Sequence, residues 1–282
     1  MDPPIEIWQL ILTQSHFLAQ IRLRCVNKLF YDRLEICDLS SISWKYANLL
    51  SDNILKFYPF IIKLNARSNY KITNVNHLTR LEVLDAGCPE CGINNMGITG
   101  ITNLKVLYAY GNSKITNINH LTKLETLDVW SNCGIGDREI SNLNLRKLYA
   151  RCNSKITTIN HFTRLELLDI SYDCGIDNEA LSNTNLIELN IDANPKITDI
   201  NRLINLQKLS ASGPSGIDDK GIAGLNLIEL NVQSNPKITN VTHMTNLQVL
   251  DAGWECGIND SGIAGLNLRK LKHYGNKKIT KA

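Results

Sequence analysis

The chain repeats itself at a fixed step. Lys-Ile-Thr occurs at residues 71–73, 114–116, 155–157, 196–198, 237–239 and 278–280, with steps of 43, 41, 41, 41 and 41 residues. A second phrase falls between these: Cys91-Gly92-Ile93, then 133–135, 174–176, Ser215-Gly216-Ile217 and 256–258. Self-similarity at a constant period restricts the chain to a stack of repeats in which each packs only on its neighbours.

Each period holds two units, each containing Leu-x-x-Leu-x-(small apolar). The second leucines are Leu64, Leu84, Leu107, Leu127, Leu148, Leu168, Leu189, Leu209, Leu230, Leu250 and Leu271, eleven units of 20–23 residues. Two residues on stand Ala66, Ala86, Ala109, Val129, Ala150, Ile170, Ile191, Ala211, Val232 and Ala252, then His273. This alternation has the period of a strand with one buried face. Neighbouring strands are expected to pair in parallel about 4.8 Å apart. No unit can bury its apolar edge alone, so the core is shared along the stack.

The units end in two ways. Odd units close on Asn69, Asn112, Asn153, Asn194, Asn235 and Asn276, whose amides can satisfy backbone groups in a bend. Even units close on Pro89, Asn132, Asp173, Pro214 and Glu255. They then read Gly-Ile-x-(Asp/Asn), which predicts Asn95, Asp137, Asn178, Asp219 and Asp260 as N-caps of short helical turns.

The motif, in phase eleven times over roughly residues 60–282, resembles the leucine-rich repeat family. Odd units look like its short intracellular or internalin-like classes, and even units like the cysteine-containing class often found behind an F-box. The resemblance implies an α/β fold: a curved leucine-rich-repeat solenoid over residues 59–282, with a parallel concave sheet. A helical module, residues 1–58, precedes it.

Those first 58 residues lack the repeat. Pro4-Ile5-Glu6-Ile7-Trp8 opens a short helix, with proline suited to its start. Apolar residues from Leu18 to Leu34 step by three and four, predicting a helix over 17–34, and a third segment spans Ser51 to Tyr58. Pro4-x-Glu6-Ile7-Trp8-x-x-Ile11-Leu12 followed by Leu23-x-x-Val26-Asn27-Lys28-x-Phe30-Tyr31 resembles an F-box. That family docks on the Skp1 adaptor of cullin–RING ubiquitin ligases. The resemblance implies Skp1-binding positions at Pro4, Ile7, Trp8, Ile11, Leu12, Leu23, Val26 and Phe30. Chains of this build are similar to those of eukaryotes and of large DNA viruses that infect them. The alternative is that the helices only cap the solenoid's first unit, which a repeat stack requires.

A net charge of +3 gives no basis for nucleic-acid binding, and no apolar run reaches the roughly 18 residues of a membrane span. The opening Met1-Asp2-Pro3-Pro4 is not a signal peptide, so an intracellular protein is expected rather than a surface adhesin. Cys91, Cys133, Cys174 and Cys256 share a column with Ser215. Members two units apart lie about 10 Å apart, beyond the roughly 7 Å between disulfide-bonded Cα atoms. The lone Cys88-x-x-Cys91 lacks the second pair of a zinc site.

His77, His120, His161 and His243, with Arg202 breaking the series, are spaced too widely to share a metal and read as turn residues. Asp85, Asp128, Asp169 and Asp251 form another spaced column with no pair singled out. No phosphate loop or nucleophile motif is present, so neither enzymatic activity nor a cofactor is expected.

Binding is expected where the repeats differ. The strand positions flanking the buried residue gather Tyr108, Tyr110, Asp128, Trp130, Tyr149, Arg151 and Asp169, with Tyr172 just beyond. Tyrosine, tryptophan and arginine dominate binding hot spots, because they bury area while keeping a polar handle. These eight residues are expected to form a concave surface for a protein target. In the last unit His273 stands among Lys270, Lys272, Lys277 and Lys278. Charge on a terminal strand discourages edge pairing. Either that basic edge suffices, or self-association covers it.

Overall fold

A computed structural model describes residues 4–131 and 133–280. Asn132, expected to close its unit, and Ala282 lie outside them. The chain divides into two compact units, Met1–Ile135 and Gly136–Ala282.

The first unit carries strands β1 (Asp38–Leu39), β2 (Lys63–Asn65), β3 (Val83–Asp85), β4 (Val106–Tyr108) and β5 (Thr126–Asp128). They pair in parallel in chain order, with Leu64, Leu84, Leu107 and Leu127 in register. The second unit repeats the plan with β6 (Lys147–Tyr149), β7 (Leu167–Asp169), β8 (Glu188–Asn190), β9 (Lys208–Ser210), β10 (Glu229–Asn231), β11 (Val249–Asp251) and β12 (Lys270–Lys272). The strand leucines from Leu64 to Leu250 are buried, as are the small apolar residues from Ala66 to Ala252. This is the parallel-sheet solenoid that the repeat predicts.

The turns show what the Lys-Ile-Thr phrase does. Its isoleucine enters the core: Ile72, Ile115, Ile156, Ile197 and Ile238 are fully buried. Its lysine donates to a carbonyl of the preceding unit, as Lys114 does to Cys91 O at 2.8 Å and Lys196 to Cys174 O at 2.7 Å. Its threonine bonds an Asp or Asn one unit back through both its N–H and its hydroxyl, as Thr157 does with Asp137 at 2.8 and 2.6 Å. The asparagine two residues upstream locks the bend. Asn112 Nδ2 donates to Ala86 O and Ile93 O, while its Oδ1 accepts the Lys114 N–H.

Asp219 and Asp260 stand at the N-cap of the 3-10 turns Lys220–Ile222 and Ser261–Ile263 as predicted, but the side-chain capping bonds come from one residue earlier. Asn94 Oδ1 accepts from the N–H groups of Met96 and Gly97 ahead of α6 (Asn95–Ile98). Asp177, Asp218 and Asn259 cap in the same way. Before α7 (Asp137–Ile140) stands Gly136, whose N–H donates to Glu139 Oε2 at 3.0 Å. Asn95, Asp137, Asn178, Asp219 and Asp260 serve the threonine bonds instead.

In all eleven units the fourth residue after the strand leucine is left-handed, with φ between 51° and 77°. Glycine, which tolerates this region, supplies only Gly111, Gly213 and Gly275; Tyr172 and Trp254 are among the others. The glycine of the Cys-Gly-Ile phrase answers a different need. A Cβ on Gly92 would stand 2.6 Å from the Ile72 and Tyr70 carbonyl oxygens, so only glycine lets adjacent turns close up.

At the front, α1 (Ile5–Thr13), α2 (Phe17–Arg24) and α3 (Lys28–Arg33) surround Leu12, Phe30, Leu34 and Cys37. The single helix predicted over 17–34 is therefore two. Asn27 turns the chain and caps α3, its Oδ1 accepting the Phe30 N–H at 2.8 Å. Buried Gln20 ties α2 to β1, accepting the Cys37 N–H at 3.0 Å and donating to Ser15 O at 2.8 Å. After β1 come α4 (Trp44–Ala47) and, within the segment expected over 51–58, α5 (Asp52–Leu55). Asp52 bonds Thr73 at 2.8 and 2.6 Å, as its counterparts do along the solenoid.

Candidate binding surfaces

The strand residues beside each buried leucine form the sheet's outer face. In the first unit Tyr108 is in register between Asp85 and Asp128. Beyond the strands, Tyr110 stacks on Trp130 with ring centroids 5.6 Å apart and planes at 17°. On Tyr110 also lies the Arg67 guanidinium, 5.1 Å from the ring centroid, its Nε directed to Cys88 Sγ at 3.4 Å. Arg67 and Tyr110 are two strands apart; Gly87 lets them meet. A Cβ there would lie 2.5 Å from the Tyr110 ring, so the glycine is a slot that the ring fills.

This corner is electrostatically tuned. Burial pushes the Asp85 carboxyl above its ordinary value, against the Gly87 N–H and the Arg67 charge, which favour the carboxylate. Burial, then Asp85, raises the Tyr110 phenol well above the tyrosine range, so it stays a neutral donor. Arg67 and Gly87 lie outside the sequence-based set. The signal was a glycine in a column that holds Arg67, Tyr110 and Trp130 in the rest of the first compact unit.

In the second unit Arg151 pairs with Asp169 at 2.9 Å. Asp169 is buried, accepting from the Ser171 N–H and hydroxyl at 3.0 and 2.7 Å and from Asn190 Nδ2 at 3.3 Å. Asp192 likewise accepts from Ser210 and Ser212 at 2.7 Å each. The carboxylates of Asp169 and Asp192 are thus each held by several donors. Tyr149 is half-buried, in register with Asp169, and Tyr172 is exposed. Trp254 and Tyr274, absent from the sequence-based set, meet edge to face at 5.0 Å and are exposed. The eight residues expected to share one surface thus fall four to each compact unit.

The eight F-box positions split by role. Pro4 precedes α1 as its N-cap residue. Leu12 and Phe30 are buried; Trp8, 5.0 Å from Phe30, and Leu23 pack on the same core. Ile7, Ile11 and Val26 are exposed, together with Leu10, Leu29 and Tyr31.

The remaining columns are structural. The imidazole Nε2 atoms of His120, His161 and His243 lie 3.0, 3.1 and 3.3 Å from the carbonyls of Ile98, Ile140 and Ile222. The column cysteines are buried free thiols, and burial pushes Cys91 and Cys174 up to about 11, which keeps them protonated and unreactive. Among the described residues no His, Cys, Asp and Glu cluster could hold a metal, and no helix is long and apolar enough to cross a membrane.

No family model matches this sequence, and no curated protein matches it. Solved structures do. The internalin InlF of Listeria monocytogenes is 23% identical, with a TM-score of 0.56 over 80% of this chain and 70% of that one. The functional domain of InlJ from the same organism is 22% identical, with a TM-score of 0.49 over 78% of this chain and 55% of that one. The yeast Rad7–Elc1 complex gives 18% identity and a TM-score of 0.49 over 98% and 92%. This chain has a leucine-rich-repeat-like solenoid fold.

Proposed function

We propose that this chain is a non-catalytic adapter of an intracellular ubiquitin ligase. Helices α1–α3 hold a Skp1-like adaptor, and the outer face of the sheet holds the protein to be modified. Catalysis belongs to the partners.

One observation carries the reading: α1–α3 leave Ile7, Leu10, Ile11, Val26, Leu29 and Tyr31 exposed around a core that is already closed. A cap would turn these residues inward. Capping is served by other elements, because β1 pairs with β2 and Asp52 of α5 bonds Thr73. Contiguous exposed apolar side chains mark interaction sites. The second reading, a scaffold whose helices only cap, draws on Ile62, which packs against the helical core.

Co-purification with Skp1 separates the two. The wild type retains Skp1, and Ile7→Asp with Ile11→Asp loses it while keeping its circular dichroism spectrum. Trp8 is unsuitable for this test because it packs on Phe30. A wild type that retains no Skp1 leaves the scaffold reading. For the sheet face, Trp130→Ala and Arg151→Ala should each reduce capture of the target; capture unaffected by both puts the target elsewhere.

A further inference from the structure

The repeats are most informative where they break. The residue before each Lys-Ile-Thr is Tyr70, then Ser113, Ser154, Pro195, Pro236 and Lys277, so only the first is aromatic. Tyr70 stands beside α4, a helical turn that carries Trp44, Lys45 and Tyr46. The two segments are bolted together. Asn69 Nδ2 donates to Ala47 O at 2.9 Å and Leu50 O at 3.1 Å, and Lys71 Nζ donates to Asn48 O at 3.1 Å.

Trp44 is 79% exposed and Tyr70 70%, and Tyr46 and Leu49 are also exposed. The Lys45 and Lys71 ammonium groups lie 5.9 and 5.7 Å from the ring centroids of Tyr46 and Tyr70. Charge is lopsided here. The segments that carry these side chains, residues 43–58 and 69–73, hold three basic residues, Lys45, Lys56 and Lys71, and one acidic. The one acid, Asp52, is committed to Thr73.

We infer that Trp44, Lys45, Tyr46, Leu49, Tyr70 and Lys71 form a second docking surface, for an acidic protein segment that also carries apolar side chains. Aromatic and aliphatic groups with a cationic rim form the usual composition of a protein interface. Two ammonium groups around four apolar side chains do not make the continuous basic groove that tracks a phosphate backbone. Nor does the patch suit a lipid surface, where rings sit deepest and lysines reach back to the water; here the ammonium groups lie over the tyrosine rings.

The test is a fluorescence titration of the full chain with the peptide Glu-Glu-Leu-Phe-Glu-Glu-Leu-Glu at 50 and 300 mM salt. The expected result is saturable binding that weakens at least tenfold at the higher salt. Lys45→Glu should weaken it at least tenfold at low salt, and Trp44→Ala should remove the fluorescence change. Lys45 is exposed, so its substitution should leave the fold intact, as circular dichroism would check. The inference is overturned by no binding, by binding that survives Lys45→Glu and Trp44→Ala, or by preferential binding to phosphatidylserine vesicles or to an oligouridylate.

Discussion

Asp219 and Thr239, twenty residues apart, are joined twice: Oδ1 accepts the threonine N–H at 2.8 Å, and Oδ2 accepts its hydroxyl at 2.6 Å. Oδ1 also accepts the Asn240 N–H at 3.3 Å. Asp219→Ala strands these donors and should cost about 1–2 kcal/mol, read from urea unfolding. Asp219→Asn should be close to neutral, because Asn178 holds Thr198 at the same two groups, its Oδ1 accepting the N–H at 2.9 Å and its Nδ2 donating to the hydroxyl at 2.8 Å.

Ser215 replaces cysteine in its column, and its buried Oγ has no hydrogen-bond partner. An unpaired buried hydroxyl is costly, whereas a thiol behaves as a small apolar group. Ser215→Cys should stabilise the fold by about 1 kcal/mol, measured as a higher urea midpoint at unchanged slope.

Asp85 gives a pH dependence. Its carboxyl is raised in the folded state, chiefly by burial, so below the unfolded value it is neutral in both states and burial exacts nothing. As pH rises from the unfolded value through the folded one, the unfolded chain ionises first and stability falls. Asp85→Asn should therefore be more stable than wild type at pH 7, with the gap shrinking towards pH 3. The amide can still accept the Gly87 N–H, as Asn65 and Asn190 do at the same strand position for Arg67 and Asp192. Unfolding curves at the two pH values check this.

Gly87 can be tested through the ring it admits. Gly87→Ala should expel Tyr110 from its slot, separating it from Trp130 and Arg67 and shifting tryptophan emission. The loss in stability should be about 1 kcal/mol, because the obstructing atoms are the mobile end of a side chain. In Tyr110→Ala the same substitution should cost nothing, a coupling that a double-mutant cycle measures.

Much of this was legible in the sequence because the repeat averages out local ambiguity. The strand leucines and closing asparagines stand where their columns place them. The capping bonds were assigned one residue late because both members of Asn94-Asn95, Asp177-Asn178 and Asp218-Asp219 can cap, and Gly136-Asp137, where the first has no side chain, favours the second. Strand β1 is two residues long and has no periodicity to read. On the sheet face, the ion pair that joins Arg151 to Asp169 was not read from the sequence, because their spacing of 18 residues matches no local pattern. The left-handed turn was hidden because eight of its eleven residues are not glycine.

The threonine-to-carboxylate or carboxamide bonds also bear on how such a chain can change length. Each joins an even unit to the odd unit after it. Excising a single turn would bring like beside like and leave the remaining end of the bond without a mate, whereas excising 41 residues restores every pairing. The heritable quantum of this architecture is thus the doublet, and duplication or loss is tolerated only in whole doublets.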